Sequence, residues 1–207
     1  MTRVKICGIK DAFDAQNAVL LGADAIGLNF VETSPRCIEP TRATRIIESL
    51  PAFVSVVGVF VNHPDPQHLE DFAVSIGLHA VQLHGNETPD YCSMIHRVKV
   101  IKAFRVKDQS SLASMRDYEV SAFLLDSSVP GQLGGTGARF NWDLAVQAKS
   151  FGTPIILAGG LTPENIADAV AKVAPWAVDV SSGVETSPGV KDHTKVREFI
   201  RRAKGLN

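Results

Sequence analysis

The sequence predicts an α/β protein, a (β/α)8 barrel of the TIM type, on three observations. Strand-like and helix-like runs alternate from one end of the chain to the other. The strand ends fall near residues 7, 30, 61, 84, 105, 126, 159 and 182, so one strand plus one helix recurs every 21 to 33 residues. Eight such units with no segment left over are too many for a flavodoxin-like sheet and the right number for a closed barrel. The apolar runs are also nearly continuous, as parallel strands covered on both sides require.

The elements follow in order. Val4-Lys5-Ile6-Cys7-Gly8-Ile9 is the first strand, its alternation placing Lys5 and Cys7 on one face and Val4, Ile6 and Ile9 largely on the other. Asp11 caps a helix to about Leu21, and Gly22 stops it. Ala25 to Phe30 is the second strand, followed by a loop with Ser34-Pro35-Arg36 and a helix from about Pro40 to Leu50. Phe53 to Val61 is the third strand, and Asp65-Pro66 opens the third helix by a cap-then-proline entry. Ala80 to Gly85 is the fourth strand, with Thr88-Pro89 starting its helix in the same way. Val100 to Val106 is the fifth, and a short helix takes in Ser110 to Met115. Ala122 to Ser127 is the sixth strand; a glycine-rich loop, Ser128 to Gly137, leads to a helix from about Trp142 to Ser150. Pro154 to Gly160 is the seventh, with Thr162-Pro163-Glu164 capping the next helix. Ala177 to Gly183 is the eighth, and Asp192 begins a last helix reaching about Lys204.

Composition narrows the class. The chain has 207 residues, 45% hydrophobic and 21% charged, with net charge −1 and no lysine or arginine block. That balance suits one barrel domain over residues 1–207 and favours neither nucleic acid nor an anionic membrane as partner. Cys7, Cys37 and Cys92 are odd in number and lack C-x-x-C or metal spacing, which fits a reducing cytoplasm. The N-terminus lacks the apolar core of a signal peptide, and no run reaches the roughly 18 apolar residues of a membrane span.

In a (β/α)8 barrel the C-terminal ends of all strands surround one mouth, where sites form. Here they bring Cys7, Arg36, His84 and Asp126 to the rim. Each has a plainer reading: Cys7 as a small buried hydrophobe, His84 as a satisfied histidine under Gly85, Asp126 as a loop cap, Arg36 as a solvated charge. Strands seven and eight contribute Gly159-Gly160 and Ser181-Ser182-Gly183, the pairing from which such barrels build a phosphate site out of backbone N–H groups and hydroxyls. The plainer reading is a tight turn. The Gly134-Gly135-Thr136-Gly137 loop matches no full nucleotide motif and reads better as a lid. Lys102, in the fifth strand, opens a different class, a lyase working through a Schiff base. A non-catalytic sugar-phosphate binder would explain the glycines and serines but not Cys7, Arg36 and Asp126.

With these residues in view, the chain resembles the phosphoribosylanthranilate isomerase family of tryptophan biosynthesis. The motifs that carry the resemblance run from the first strand to the last helix. They are Lys5-Ile-Cys-Gly8, Gly27-Leu-Asn-Phe30, Ser34-Pro-Arg36, Val57-Gly-Val-Phe60, Gln82-Leu-His-Gly85, Leu125-Asp-Ser127, Gly134 to Gly137 with Phe140 and Trp142, Ala158-Gly-Gly-Leu161, and Val178 to Glu185 with Pro188-Gly189 and Lys191-Asp192. Cys37 and Val190 depart from the family pattern. The resemblance implies a phosphate-binding barrel that performs an Amadori rearrangement of N-(5′-phosphoribosyl)anthranilate, with Cys7 as base and Asp126 as acid. It implies that Arg36 binds the anthranilate carboxylate, that Gly159, Gly160, Ser181, Ser182 and Gly183 hold the phosphate, and that His84 and Asp179 line the pocket. No metal or organic cofactor is implied, and a monomer and a homodimer both remain open. The related sugar isomerase of histidine biosynthesis would place an aspartate where this chain has Cys7. A thiol at its usual pKa of about 8.5 is mostly protonated at neutral pH, so Lys5 is expected to lower it; an acid at Asp126, ordinarily near 3.9, calls for burial or a nearby anion.

Overall fold

The computed structural model describes residues 1–126 and 142–206. Eight parallel strands close into a barrel in sequence order: β1 (Arg3–Cys7), β2 (Ala25–Asn29), β3 (Ser55–Phe60), β4 (Ala80–Leu83), β5 (Lys99–Arg105), β6 (Ala122–Asp126), β7 (Ile155–Leu157) and β8 (Ala177–Val180). Between and after them run α1 (Ala12–Leu20), α2 (Pro40–Glu48), α3 (Pro66–Ser75), α4 (Pro89–Ser93), α5 (Gln109–Ala113), α6 (Trp142–Ala148), α7 (Ile166–Val173) and α8 (His193–Lys204). This is the TIM barrel. Among the described residues no helix is long and apolar enough to cross a membrane. Ser127, Phe140 and the lid expected over Ser128 to Gly137 lie outside the described residues.

The strand period divides the apolar residues into two cores. Val57, Ala80, Ile101, Ala122, Leu124, Ile156 and Ala177 point inward and pack inside the barrel. Their neighbours along the strands, such as Val4, Ile6, Ile26, Val56, Val81 and Phe123, pack outward with Ala15, Ala43, Ile46, Leu69 and Phe199 from the helices. With both faces covered, the strands read as unbroken apolar runs. Register then sets the inward polar residues. Cys7 pairs with Gly27, Lys5 with Asp179, and Arg105 with Asp126 across neighbouring strands.

Helix starts follow local chemistry. Asp11, Asp65, Thr88, Asp108 and Asp192 accept hydrogen bonds from first-turn N–H groups, each worth about 1 kcal/mol. Other boundaries differ from the sequence expectation. β3 begins at Ser55 rather than Phe53, which is fully exposed. β7 stops at Leu157 because the chain takes positive φ at Gly159 (77°) and Gly160 (64°), which ends extended pairing. α7 begins at Ile166 rather than at Thr162-Pro163, since the Asn165 side chain accepts from the Thr162 N–H (2.9 Å) and holds an intervening turn. α5 and α6 each end in a 3-10 turn, Ser114–Asp117 and Lys149–Phe151. After β8 a 3-10 turn, Ser182–Val184, leads into a small antiparallel hairpin, β9 (Glu185–Ser187) and β10 (Val190–Lys191), which the apolar pattern does not announce.

Candidate active site

The C-terminal end of β1 carries a buried ionic cluster. The Lys5 ammonium donates to Asp179 Oδ1 of β8 at 2.7 Å, with both side chains almost completely buried. Burial opposes the charge on Lys5, but Asp179 and the Cys7 sulfur outweigh it and hold its pKa above the ordinary lysine value. Cys7 sits one inward step above Lys5. A Cβ on Gly27 would stand 2.7 Å from the Cys7 sulfur and 3.0 Å from the Lys5 nitrogen, so a glycine there makes room for both. Burial pushes the Cys7 thiol up; Lys5 and Lys191 pull it back and Asp179 adds to the rise. Lys5 lowers the thiol as expected, but desolvation exceeds the attraction of a lysine whose charge Asp179 already balances, and the net direction is upward.

Beside it, Arg36 reaches from the loop after β2. Its Nε and Nη2 donate to the two carboxylate oxygens of Glu185, at 2.9 and 2.6 Å. Lys191 on β10 donates to Glu185 Oε1 (2.7 Å), to the Cys7 carbonyl (2.6 Å) and to the Ser181 carbonyl (3.4 Å). Burial would raise the Glu185 carboxyl, but Arg36 and Lys191 hold it below the ordinary glutamate value. Glu185 grips one edge of the guanidinium, leaving the Nη1 end to face a second planar acceptor. The stem of Arg36 crosses Gly8, where φ is +75° and a Cβ would lie 2.5 Å from Arg36 Cδ. Only glycine suits that position.

The ends of β7 and β8 face each other. Gly159 and Gly160 turn through positive φ, and a Cβ on Gly183 would collide with the Leu161 carbonyl, so the two loops are pressed together through a bare backbone. Ser181 Oγ is buried and has no hydrogen-bond partner among the described residues, whereas Ser182 is exposed. Close-approach glycines and a spare hydroxyl suit a small anion.

Across the mouth, His84 Nε2 lies 3.2 Å from Asp126 Oδ2, and His84 Nδ1 lies 2.8 Å from the amide nitrogen of Gln82. A cleft of about 460 Å³ opens over the ends of β3 to β5, lined by Asn62, His84, Lys102, Arg105 and Tyr118 among others. Lys102 donates to the carbonyls of Leu83 (3.2 Å) and Gly85 (2.8 Å) and to Glu87 Oε2 (2.8 Å). A nucleophilic amine needs a free lone pair; this ammonium is saturated by three acceptors and serves the loop after β4.

The sequence-predicted residues thus gather in two groups on one rim. Cys7, Arg36, Asp179 and Ser181 lie together with the glycine ends, and His84 pairs with Asp126. Sequence reasoning missed the parts played by Glu185, Lys191 and Gln82. Glu185 and Lys191 lie in motifs already noted, but only the hairpin brings them under Arg36 and Cys7. Gln82 stands two residues before His84 on a strand, so period-2 alternation was the available signal.

Residues 4–202 match the family model for N-(5′-phosphoribosyl)anthranilate (PRA) isomerase. The N-(5′-phosphoribosyl)anthranilate isomerase of Geotalea uraniireducens is 57% identical over 206 residues, covering 100% of both chains. A monomer form of the dimeric phosphoribosylanthranilate isomerase of Thermotoga maritima superposes with a TM-score of 0.89 at 42% identity over the full length of both chains. The structure of such an isomerase in complex with reduced 1-(o-carboxyphenylamino)-1-deoxyribulose 5-phosphate gives 0.88 at 43%, again over 100% of each chain. The chain belongs to the N-(5′-phosphoribosyl)anthranilate isomerase family, the aldose–ketose isomerases of tryptophan biosynthesis.

Proposed function

We propose that Asp126 is the general acid and Cys7 the general base of an Amadori rearrangement that converts N-(5′-phosphoribosyl)anthranilate into 1-(2-carboxyphenylamino)-1-deoxyribulose 5-phosphate. Asp126 gives its proton to the furanose oxygen as the C1′–O bond breaks, and the nitrogen lone pair forms the C1′=N bond. The Cys7 thiolate then removes the C2′ proton; the released pair forms C1′=C2′ and neutralises the iminium nitrogen. The enol so formed ketonises, with a proton arriving at C1′ and the C2′ hydroxyl proton leaving. Every step is a proton transfer, so the mechanism draws on no metal or organic cofactor.

The observation that carries this reading is the pair of inward-facing proton carriers at separate strand ends of one mouth, Cys7 on β1 and Asp126 on β6. Lys5 and Lys191 supply positive charge beside the sulfur, and the cationic imine adds more once the ring has opened. Asp179 acts through Lys5, balancing it, and His84 acts beside the acid. The open end of the Arg36 fork takes the anthranilate carboxylate, and Gly159, Gly160, Ser181, Ser182 and Gly183 take the phosphate, fixing the substrate at both ends. The ligand named in the related complex carries both groups. The whole chain acts as a single barrel domain, and the dimeric Thermotoga relative supports a homodimer, which sedimentation equilibrium would read directly.

The test is turnover followed by the change in anthranilate fluorescence. Cys7→Ala and Asp126→Asn should each lose at least about 10²- to 10⁴-fold in kcat while keeping the wild-type circular dichroism. Near-wild-type turnover in either variant removes that residue from the mechanism.

A further inference from the structure

Gln82 has no part in the mechanism described so far, yet it touches the histidine beside the acid. It points into the barrel from β4, is 1% exposed, and places its amide nitrogen 2.8 Å from His84 Nδ1. Its carbonyl oxygen is buried with no hydrogen-bond partner among the described residues. Among the described residues, the histidine contact alone orients the amide.

The proton positions follow from counting donors. Once Asp126 has given up its proton it only accepts, so the His84 nitrogen 3.2 Å from it carries hydrogen in that state. A neutral imidazole then has its lone pair at Nδ1, which matches an amide NH2 donor from Gln82. Protonating Nδ1 would bring two donors face to face inside the barrel. Among the described residues, the other charged groups around His84 do not relieve this. Lys102 of β5 is taken by Glu87 and two carbonyls, and Arg105, at the end of β5, stands beside Asp126 in the strand register.

We infer that Gln82 is a positioning residue that holds the proton of the His84 imidazole on Nε2, so that His84 donates to Asp126 as that carboxylate forms. A carboxylic acid accepts this hydrogen bond weakly and a carboxylate accepts it strongly. The bond therefore strengthens as the proton leaves for the substrate, which favours the transition state over the ground state. The kinetic consequence rests on Asp126 being the acid; the tautomer does not.

The test uses ¹⁵N NMR of the His84 imidazole in the full-length protein, with its signals assigned through His84→Asn, together with steady-state kinetics. In the wild type the neutral imidazole of His84 should carry its proton on Nε2. Gln82→Met should populate both tautomers. Gln82→Glu should move the proton to Nδ1. In Gln82→Met kcat should fall about tenfold, the loss of one charge-assisted hydrogen bond, with KM changing less than about twofold. An Nδ1–H tautomer in the wild type, or a Gln82→Met spectrum that superimposes on it, overturns the inference. If Gln82→Met does not fold, Gln82→Asn, which keeps the amide but is too short to reach Nδ1, gives the same readout. Should the tautomers behave as expected while Asp126→Asn keeps its turnover, the lock stands and the acid assignment falls.

Discussion

Replacing Glu185 with glutamine removes one negative charge from a site that holds two positive ones. Its carboxylate receives three hydrogen bonds, from Arg36 at 2.9 and 2.6 Å and from Lys191 at 2.7 Å, and its side chain is 4% exposed beside a Lys191 side chain at 1%. Breaking a buried pair from one side costs about 3–5 kcal/mol, because the partner charge stays behind without compensation. Lys191 keeps the Cys7 and Ser181 carbonyls and Arg36 keeps partial solvent contact, so the lower end, about 3 kcal/mol, is expected for Glu185→Gln. In a chain of this size that lowers Tm by about 6–12 °C. The effect depends on pH with a definite sign. The folded-state pKa of Glu185 lies below its unfolded value of about 4.3, so its contribution is complete above that value and is lost as pH falls through the folded one. Urea titrations of both proteins at a series of pH values should therefore show a gap at neutrality that closes in acid. Lys191→Met in the Glu185→Gln background should recover part of the loss, since it removes the stranded ammonium. A Glu185→Gln protein within about 0.5 kcal/mol of wild type at neutral pH would refute the view that this carboxylate holds the two cations in place.

Four further outcomes are expected. Arg36→Met should chiefly raise KM, since the fork binds a carboxylate that does not react; a change in kcat alone would argue against that role. For Cys7, the active form is the thiolate and burial raises its pKa, so kcat/KM should climb with pH beyond the ordinary thiol range and fall below it. A flat profile from about pH 6 to 9 would count against Cys7 as base. Lys102→Met should destabilise by about 3–5 kcal/mol through the stranded Glu87, whose partners otherwise hold its carboxyl below the ordinary value against burial. Borohydride with a sugar phosphate should leave wild-type Lys102 unmodified, and a trapped adduct would reopen the Schiff-base chemistry that the three acceptors argue against.

Much of this molecule is legible along the chain because short-range physics writes it there. Period-2 burial, aspartate and threonine caps, and proline at the first helical turn specify eight strands and their helices, and the steady spacing specifies closure into a barrel. Closure in turn places the strand-end residues Cys7, His84 and Asp126 on one rim, whatever the details of packing. The contacts that tune them are not local. Glu185 and Lys191 act on Arg36 and Cys7 from 149 and 184 residues away, through a hairpin whose short strands carry no apolar period. Where the Cys7 thiol titrates depends on a competition between burial, which raises it, and Lys5, which lowers it while balanced by Asp179, 174 residues away from that lysine. A charge along a sequence has a sign but no dielectric surroundings and no partner until the chain has folded. The sequence therefore specifies the barrel and the chemistry available at its mouth; only the tertiary structure decides which charges are buried, which are balanced, and where the protons reside.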